Sequence, residues 1–278
     1  MTKANNQLAL REELLLGRRE LSTRFHNLPS RTLEKAQLLV TATRSADAIY
    51  YLSAGWACQF REFSASDQAI VDVYLPGDVI GLDAVWWPLP SKKVMSLTSV
   101  VVKMMIEAKH ALLDLMARRS AALYIAWLLG ERQRRSDRHV AAISSLDAGG
   151  RVATMLLDFH ERLFRRELIT SSMYNLPLTQ IQIGAYLGLT PAHVNRVLRS
   201  LRQERIAALE NHCLTILDFE RLVRLAKDNS TESLGERSLD KSTIPSSQLT
   251  GIRGECSQPG LQFTTVRDIP VVDSTSMV

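Results

Sequence analysis

The segment LPLTQIQIGAYLGLTPAHVNRVLRSLRQERI, residues 176–206, decides the fold of the C-terminal part of the chain. Thr179 is a good N-cap for a short helix, and Gly188 stands where that helix must stop and turn. Thr190 can cap a second helix, and Pro191 suits its first position because the missing N–H has no partner within a helix there. The segment therefore predicts two helices joined by a tight glycine turn.

The second of these helices is expected to have two unlike faces. Its apolar stripe consists of Val194, Val197, Leu198 and Leu201, and its arginines are Arg196, Arg199, Arg202 and Arg205. A helix with one packed face and one cationic face has the right width for the DNA major groove, with its N-terminal side chains nearest the bases. An ordinary helical hairpin with a solvated arginine face is the alternative, and the order of caps, glycine and stripe argues against it.

The composition of the 278 residues, 46% hydrophobic and 23% charged, fits a soluble globular protein of two domains. A net charge of +5 is mild for a protein that binds nucleic acid. Cys58, Cys213 and Cys256 lie too far apart for a disulfide framework or a metal knuckle, which predicts a reducing, cytoplasmic location. Neither a signal peptide nor an apolar run of about 18 residues is present, so no contact with a membrane is expected.

The pattern of residue types along the chain predicts an α+β protein in five parts. Residues 1–36 are expected to form an N-terminal helical segment, and residues 37–107 contain short β-prone runs between Gly, Pro and Ser. Residues 108–147 resemble one long helix that pairs with its twin in a homodimer, although a bent helix would give the same pattern. Residues 148–228 are expected to hold the helical domain with the glycine turn. Residues 229–278, rich in Ser, Thr, Gly and Pro, are expected to be disordered.

Four segments, in order, resemble regulators of the Crp/Fnr type. YYLSAGWA and YLPGDVIGL resemble the β-roll strands of that family, and RVATMLLDFHERL resembles the helix that joins its two halves. Residues 176–202 resemble its helix-turn-helix, and the resemblance as a whole covers about residues 49–226. It implies an N-terminal β-roll, a jelly-roll-like sensor domain, followed by a long dimerisation helix. It also implies a C-terminal winged helix-turn-helix domain whose wing and last helix come from residues 210–222.

The resemblance further implies a homodimer that reads a roughly two-fold symmetric operator in double-stranded DNA, with RNA polymerase as a further partner. The residues expected to meet DNA are Thr179, Gln180, Thr190, Pro191, Ala192, His193, Asn195, Arg196, Arg199 and Arg202. Arg196 can give two hydrogen bonds to a guanine or hold a phosphate, and Arg199 and Arg202 are expected to hold phosphates. Better-known members of the family have an acidic reader where this chain has Ala192, so their target sequence is not expected here.

The effector of the sensor domain stays open at this point. Relatives that bind cyclic nucleotides use a Glu just after the PGD turn and an Arg-Ser or Arg-Thr pair downstream, where this chain has Leu82 and then Lys92 with Lys93. A leucine cannot accept hydrogen bonds from a ribose, and lysine lacks the planar fork of arginine, so cyclic AMP and cyclic GMP are not expected. No cysteine precedes Cys58, which argues against an iron–sulfur cluster, and no histidine stands in a haem motif. We expect no cofactor and no metal, and either an unknown small-molecule effector or none.

Two other classes of protein compete with a DNA-binding regulator. Walker A, G-x-S-x-G, H-E-x-x-H and dinucleotide glycine patterns are all absent, so the sequence does not predict an enzyme. An effector-binding or protein-interaction module that has lost DNA binding is the other alternative. The intact row of arginines from Arg196 to Arg205 argues against it.

Overall fold

A computed structural model describes residues 3–40, 48–64, 67–83 and 93–227, and the structural statements below concern these residues. All of them belong to one compact unit. The tail at 229–278, for which the sequence predicts disorder, lies outside the described residues.

The N-terminal part consists of a helix followed by two antiparallel sheets. Its elements are α1 (Lys3–His26), β1 (Ser30–Leu33), β2 (Leu38–Val40), β3 (Ala48–Ala54), β4 (Ala57–Ser64), β5 (Asp67–Tyr74), β6 (Val79–Ile80), β7 (Lys93–Ser96) and β8 (Val100–Ile106). One sheet has the strand order β1-β8-β3-β6, and the other has the order β2-β7-β4-β5. Leu52 and Val102 of the first sheet share one buried core with Tyr74 and Val94 of the second. The prediction of a β-roll is therefore confirmed.

The β-roll begins earlier than its sequence pattern indicates. Strand β1 pairs with β8, with Ser30 opposite Lys103 and Leu33 opposite Val100, inside the segment that the sequence predicts to be helical. Four residues are too few for a visible alternation of apolar and polar positions. The strand forms because a partner about 70 positions away lies beside it.

The predicted long helix over residues 108–147 is two helices, α2 (Ala108–Met116) and α3 (Arg119–Ser145), because the backbone of Arg118 is extended. Helix α2 buries Leu112 and Leu115 in a core that also holds Phe25 of α1. Helix α3 buries Ala121 and Ile125 in the same core at its start and then continues along the β-roll and the next domain. Within that core α3 lies against α1, whereas α2 contacts β3, so the break lets the two helices follow different neighbours.

The C-terminal part of the described chain is a small α/β domain. Its elements are α4 (Ala148–Arg165), β9 (Met173–Asn175), α5 (Gln180–Leu187), α6 (Pro191–Gln203), β10 (Ala207–Glu210), β11 (Cys213–Ile216) and α7 (Phe219–Lys227). Asp147 caps α4 by accepting a hydrogen bond of 2.8 Å from the backbone N–H of Gly150. The three strands form a sheet in the order β10-β11-β9. This arrangement matches the predicted winged helix-turn-helix.

Helix α4 joins this domain to the β-roll through a shared apolar core. Phe159 is fully buried, and its ring meets the indole of Trp56 edge to face, with ring centroids 5.3 Å apart. Phe60 and Leu97 of the β-roll belong to the same core as Leu163 of α4. The position of the helix-turn-helix is therefore set partly by the β-roll.

None of the helices in the described part of the chain has both the length and the apolar character that a membrane span requires.

Candidate nucleic-acid interface

The helix-turn-helix is built from local capping interactions that the sequence predicts. Thr179 and Gln182 form a reciprocal capping box at the start of α5. Gly188 ends that helix with a φ of 65°, in the left-handed region that favours glycine. Thr190 accepts a hydrogen bond of 3.3 Å from the backbone N–H of His193, and Pro191 opens α6. These predictions are confirmed.

Helix α6 packs through one face and leaves the other exposed. Val194 and Leu201 are buried, and Ile183 and Leu187 of α5 belong to the same core. The opposite face forms an open concave surface lined by Ala192, Asn195, Arg196, Arg199, Ser200 and Gln203. The cationic face that the sequence predicts is therefore presented to solvent.

Arg196 and Arg199 are the free cations of this surface. Both are exposed, and no residue in the described ranges forms an ion pair with either of them. A guanidinium group without a protein partner keeps all five N–H donors for a base edge or a phosphate. These two residues can therefore bind DNA without first breaking another interaction.

Several of the other residues expected to meet DNA already bond to one another. The Thr179 and Thr190 hydroxyls act as helix caps, and Nδ1 of His193 lies 3.1 Å from Oγ1 of Thr190. The side-chain amide of Asn195 donates a hydrogen bond of 3.0 Å to Oε1 of Gln180, which ties α6 to α5. These contacts hold the two helices in register and still leave Oδ1 of Asn195 and the amide N–H groups of Gln180 for DNA.

Arg202 has a partner that the sequence does not reveal. Its Nη2 lies 2.9 Å from Oε1 of Glu210, and both side chains are mostly exposed. Glu210 ends β10 at the tip of the wing, where Asn211 and His212 both have positive φ and close a two-residue hairpin turn. The expected phosphate contact of Arg202 thus competes with an ion pair to the wing.

Sequence reasoning missed Ser200 and Gln203 on the same surface. They lie four positions after Arg196 and Arg199, which places them on the same face of α6. The spacing would have indicated both residues. Ser200 already has a partner within the protein, because its hydroxyl donates a hydrogen bond of 2.6 Å to Oε1 of Glu204.

Comparison with known proteins shows which regulators the chain is similar to. Residues 150–225 match the model of the Crp-like helix-turn-helix domain. The chain is 24% identical over 202 residues to the anaerobic regulatory protein of Haemophilus influenzae, covering 72% of this chain and 77% of that protein. It is 26% identical over 201 residues to the transcriptional activator protein Anr of Pseudomonas protegens, covering 70% and 80%. The chain is therefore similar to Crp/Fnr-type regulators over about 70% of its length and carries a Crp-like helix-turn-helix domain.

Solved structures show that the similarity in fold extends over both domains. FixK2 from Bradyrhizobium japonicum superposes with a TM-score of 0.64 at 22% identity, covering 74% of this chain and 99% of that one. A transcriptional regulator of the CRP family from Thermus thermophilus gives a TM-score of 0.56 at 19% identity, covering 70% and 96%. The β-roll and the helix-turn-helix are therefore parts of one known architecture.

The structure buries or pairs two side chains at the positions that the sequence analysis compares with a cyclic-nucleotide site. Leu82 is buried in the same core as Ile49 and Met105. The ammonium group of Lys93 lies 2.5 Å from a carboxylate oxygen of Glu62, and Lys92 lies outside the described residues. Neither Leu82 nor the paired Lys93 offers the contacts that ribose and phosphate need.

Arg132 links the long helix α3 to the β-roll. Its Nη2 donates hydrogen bonds of 2.9 Å to both Oε1 of Gln59 and the hydroxyl of Tyr74. Its Nη1 donates one of 3.2 Å to Asp83, and the guanidinium lies over the Tyr74 ring, 5.7 Å from the centroid. These contacts join the sheet to α3 through protein side chains alone. Within the described ranges, no group of three or more His, Cys, Asp or Glu side chains could hold a metal ion.

Proposed function

We propose that the protein is a Crp/Fnr-type regulator that binds a roughly palindromic operator in double-stranded DNA as a homodimer. One helix α6 from each protomer enters the major groove. The observation that carries the proposal is the exposed face of α6, on which Arg196 and Arg199 have no ion-pair partner among the described residues. An unpaired cationic helix face on a rigid helix-turn-helix fits the negative potential of DNA.

The residues of this face fall into two roles in the proposal. Arg196, in the second turn of α6, reads a base through two parallel hydrogen bonds to guanine O6 and N7. Arg199 and Arg202 bind phosphates and supply affinity without sequence choice. Asn195 and Gln180 form a hydrogen bond with each other. In the proposal, their remaining polar atoms contact the DNA backbone or an outer base. Pro191, Ala192 and His193 lie at the exposed start of α6, nearest the groove.

The long helix α3 supports the dimer. Trp127 is 42% exposed and stacks on Tyr124. Three positions further along α3, a Cβ added at Gly130 would meet nothing within 4 Å. A glycine inside a helix costs about 1 kcal/mol relative to alanine. Nothing in the described part of the single chain requires a glycine at position 130. Close approach of the α3 helix of a second protomer would explain why a glycine stands there.

The sensor takes an effector other than a cyclic nucleotide, or none. Dimerisation through α3 sets the distance between the two α6 helices, which must enter successive major grooves about 34 Å apart. A signal that changes this distance changes affinity. In this proposal the protein acts in the cytoplasm and regulates transcription with RNA polymerase as its partner.

Salt-dependent DNA binding tests the proposal and separates it from a module that has lost DNA binding. The dissociation constant for random-sequence duplex is measured for the purified protein and for Arg199→Gln between about 50 and about 200 mM salt. The wild type should show a steep linear dependence of log Kd on log salt concentration, and Arg199→Gln should lower the slope by about 2 per dimer. Arg221→Gln, which removes an exposed pair with Glu204 in the same domain, is the control. No retention of DNA at any salt concentration would overturn the proposal.

A further inference from the structure

Three elements of the protein meet at the side chain of Asp78. The residue lies in the turn between β5 and β6 and is buried. One carboxylate oxygen lies 2.6 Å from Nη2 of Arg162, and the other lies 2.6 Å from Nη2 of Arg166. Arg135 of α3 approaches to 3.7 Å. One acidic side chain of the sensor therefore contacts both the long helix and the first helix of the DNA-binding domain.

The turn itself fixes the carboxylate of Asp78. Oδ2 accepts a hydrogen bond of 2.7 Å from the backbone N–H of Leu75, whose carbonyl accepts one of 3.0 Å from the N–H of Asp78. The carbonyl of Asp78 accepts another from Leu52 of β3 at 2.9 Å. The position of the negative charge is thus set by the sheet and does not depend on the arginines that bind it.

Arg162 lies in the last turn of α4, and Arg166 is the C-cap residue of that helix. Because they are four positions apart, both side chains lie on one face of α4 and reach the turn together. Arg162 also donates a hydrogen bond of 2.9 Å to the carbonyl of Val73. Arg166 donates one of 2.7 Å to the carbonyl of Pro76. Each guanidinium therefore holds both the carboxylate and a nearby carbonyl, which fixes the rotation of α4 as well as its distance from the sheet.

The charges of this cluster depend on one another. Burial alone would raise the pKa of Asp78, but Arg166, Arg162 and Arg135 together hold it well below its ordinary value. Without Asp78, Arg166 would have no carboxylate partner among the described residues. Arg162 and Arg135 would keep only their longer carboxylate contacts there, 3.4 Å to Asp158 and 3.8 Å to Asp72, which is unfavourable for buried charges. The apolar core beside the cluster also holds α4 against the β-roll, and the directional ion pairs add a fixed orientation to that packing.

We propose that Asp78 is a positioning residue for DNA binding, which holds α4 at one orientation relative to α3. The inference rests on the proposed function, in which α3 pairs the protomers and α4 carries the helix-turn-helix. A carboxylate that binds both helices sets the separation of the two α6 helices in the dimer. Loss of the carboxylate leaves each helix-turn-helix intact, but the two α6 helices of the dimer are then no longer held at a fixed separation.

Affinity for one and for two half-sites tests this role. Asp78→Asn keeps the shape of the side chain and removes its charge. Dissociation constants are measured for two duplexes. One contains the inverted repeat obtained by selection from random DNA, and the other contains a single half-site of that repeat. We expect at least a tenfold loss on the inverted repeat and less than a twofold change on the single half-site. Glu62→Gln, which removes an ion pair within one sheet, should change neither.

A second variant and a second readout guard against simple misfolding. Arg166→Gln lies at the end of α4, where the side chain is 22% exposed, and should show the same difference between the two duplexes. Wild-type protein should unfold in one thermal transition, and Asp78→Asn in two, because the sensor and the DNA-binding domain then unfold separately.

Three results would overturn the inference. The first is wild-type affinity of both variants for the inverted repeat, and the second is an equal loss on both duplexes, which would indicate general destabilisation. The third is a single unfolding transition for folded Asp78→Asn at the wild-type temperature. The unfolding readout needs no DNA, so it still decides the coupling of the two domains if the wild type binds no operator and the proposed function fails.

Discussion

The imidazole of His139 stacks on the phenol ring of Tyr186, with ring centroids 4.2 Å apart and 17° between the planes. His139 belongs to the long helix α3 and Tyr186 to α5, the first helix of the helix-turn-helix. Phe159 of α4 also stacks with Tyr186, with centroids 6.2 Å apart. A titratable ring therefore lies between the helix proposed to pair the protomers and the domain proposed to read DNA.

The stability of the protein should fall as the pH falls from about 7 to 5. Burial lowers the pKa of His139, and Asp72, Asp158 and a backbone bond to Tyr186 offset only part of the effect. The unfolded chain therefore binds a proton at a higher pH than the folded one. The stabilising contribution is present above the ordinary histidine pKa of about 6.5 and is lost below it.

His139→Phe keeps the stacked ring and removes its titration. Its unfolding free energy, measured by urea at several pH values, should fall less steeply between pH 7 and 5 than that of the wild type. Some slope should stay, because burial also lowers the pKa of His160. Identical slopes for the variant and the wild type would refute the role given to His139.

Arg196 and Arg199 should respond differently to substitution. Arg196→Ala should relax the sequence preference at one operator position by about 1–3 kcal/mol, because it removes contacts to one base. Arg199→Ala should weaken binding to operator and random DNA by similar factors, because a phosphate contact carries no sequence information. Competition binding with single-position operator variants measures both. Equal loss on every sequence for both variants would contradict the assignment.

Removal of the charge on Glu210 should strengthen DNA binding. Glu210→Gln releases Arg202 from an exposed ion pair and removes a negative charge next to the recognition helix. Such a pair is worth up to about 1 kcal/mol, so an increase in affinity of about two- to fivefold on all DNA is expected. Fluorescence anisotropy with random and operator duplexes checks this. Weaker binding would mean that Glu210 holds Arg202 in its productive position.

A charge at Trp127 should separate the protomers. The indole is 42% exposed in the single chain, so Trp127→Glu is tolerated there, but it would place an unpaired carboxylate in the proposed interface between two α3 helices. Sedimentation should show a monomer, and far-UV circular dichroism should show unchanged helix content. Binding of the operator should be at least tenfold weaker. Leu38→Glu, at a similarly exposed residue of β2, should leave the dimer intact. A dimeric Trp127→Glu protein would place the interface elsewhere.

The parts of the site that depend on neighbouring residues could be predicted from the sequence. Thr179, Gly188 and Thr190 act within four positions of their partners, so their residue types alone indicate the turn and the start of each helix. The pairing of Arg162 with Asp78 spans 84 positions. No local pattern reveals such a contact, because it forms only when the β-roll and α4 have packed together.

The break between α2 and α3 also depends on contacts that no local sequence pattern reveals. Nothing in the residue types at Ala117 and Arg118 stops a helix, and neither is a glycine or a proline. The break follows from the different packing partners of the two helices, which are set by the tertiary fold. Sequence periodicity therefore gives the existence of this helical region and misses its interruption.

Selection of binding sites from random duplex DNA tests the central claim most directly. The purified protein is used without added ligand, at about 0.15 M salt, with Arg196→Ala in parallel. The account predicts an enriched inverted repeat with half-site centres about 10 base pairs apart, and loss of preference at one position of each half-site for the variant. Recovery of no common sequence by the wild type, or of the same sequences by both proteins, would contradict it.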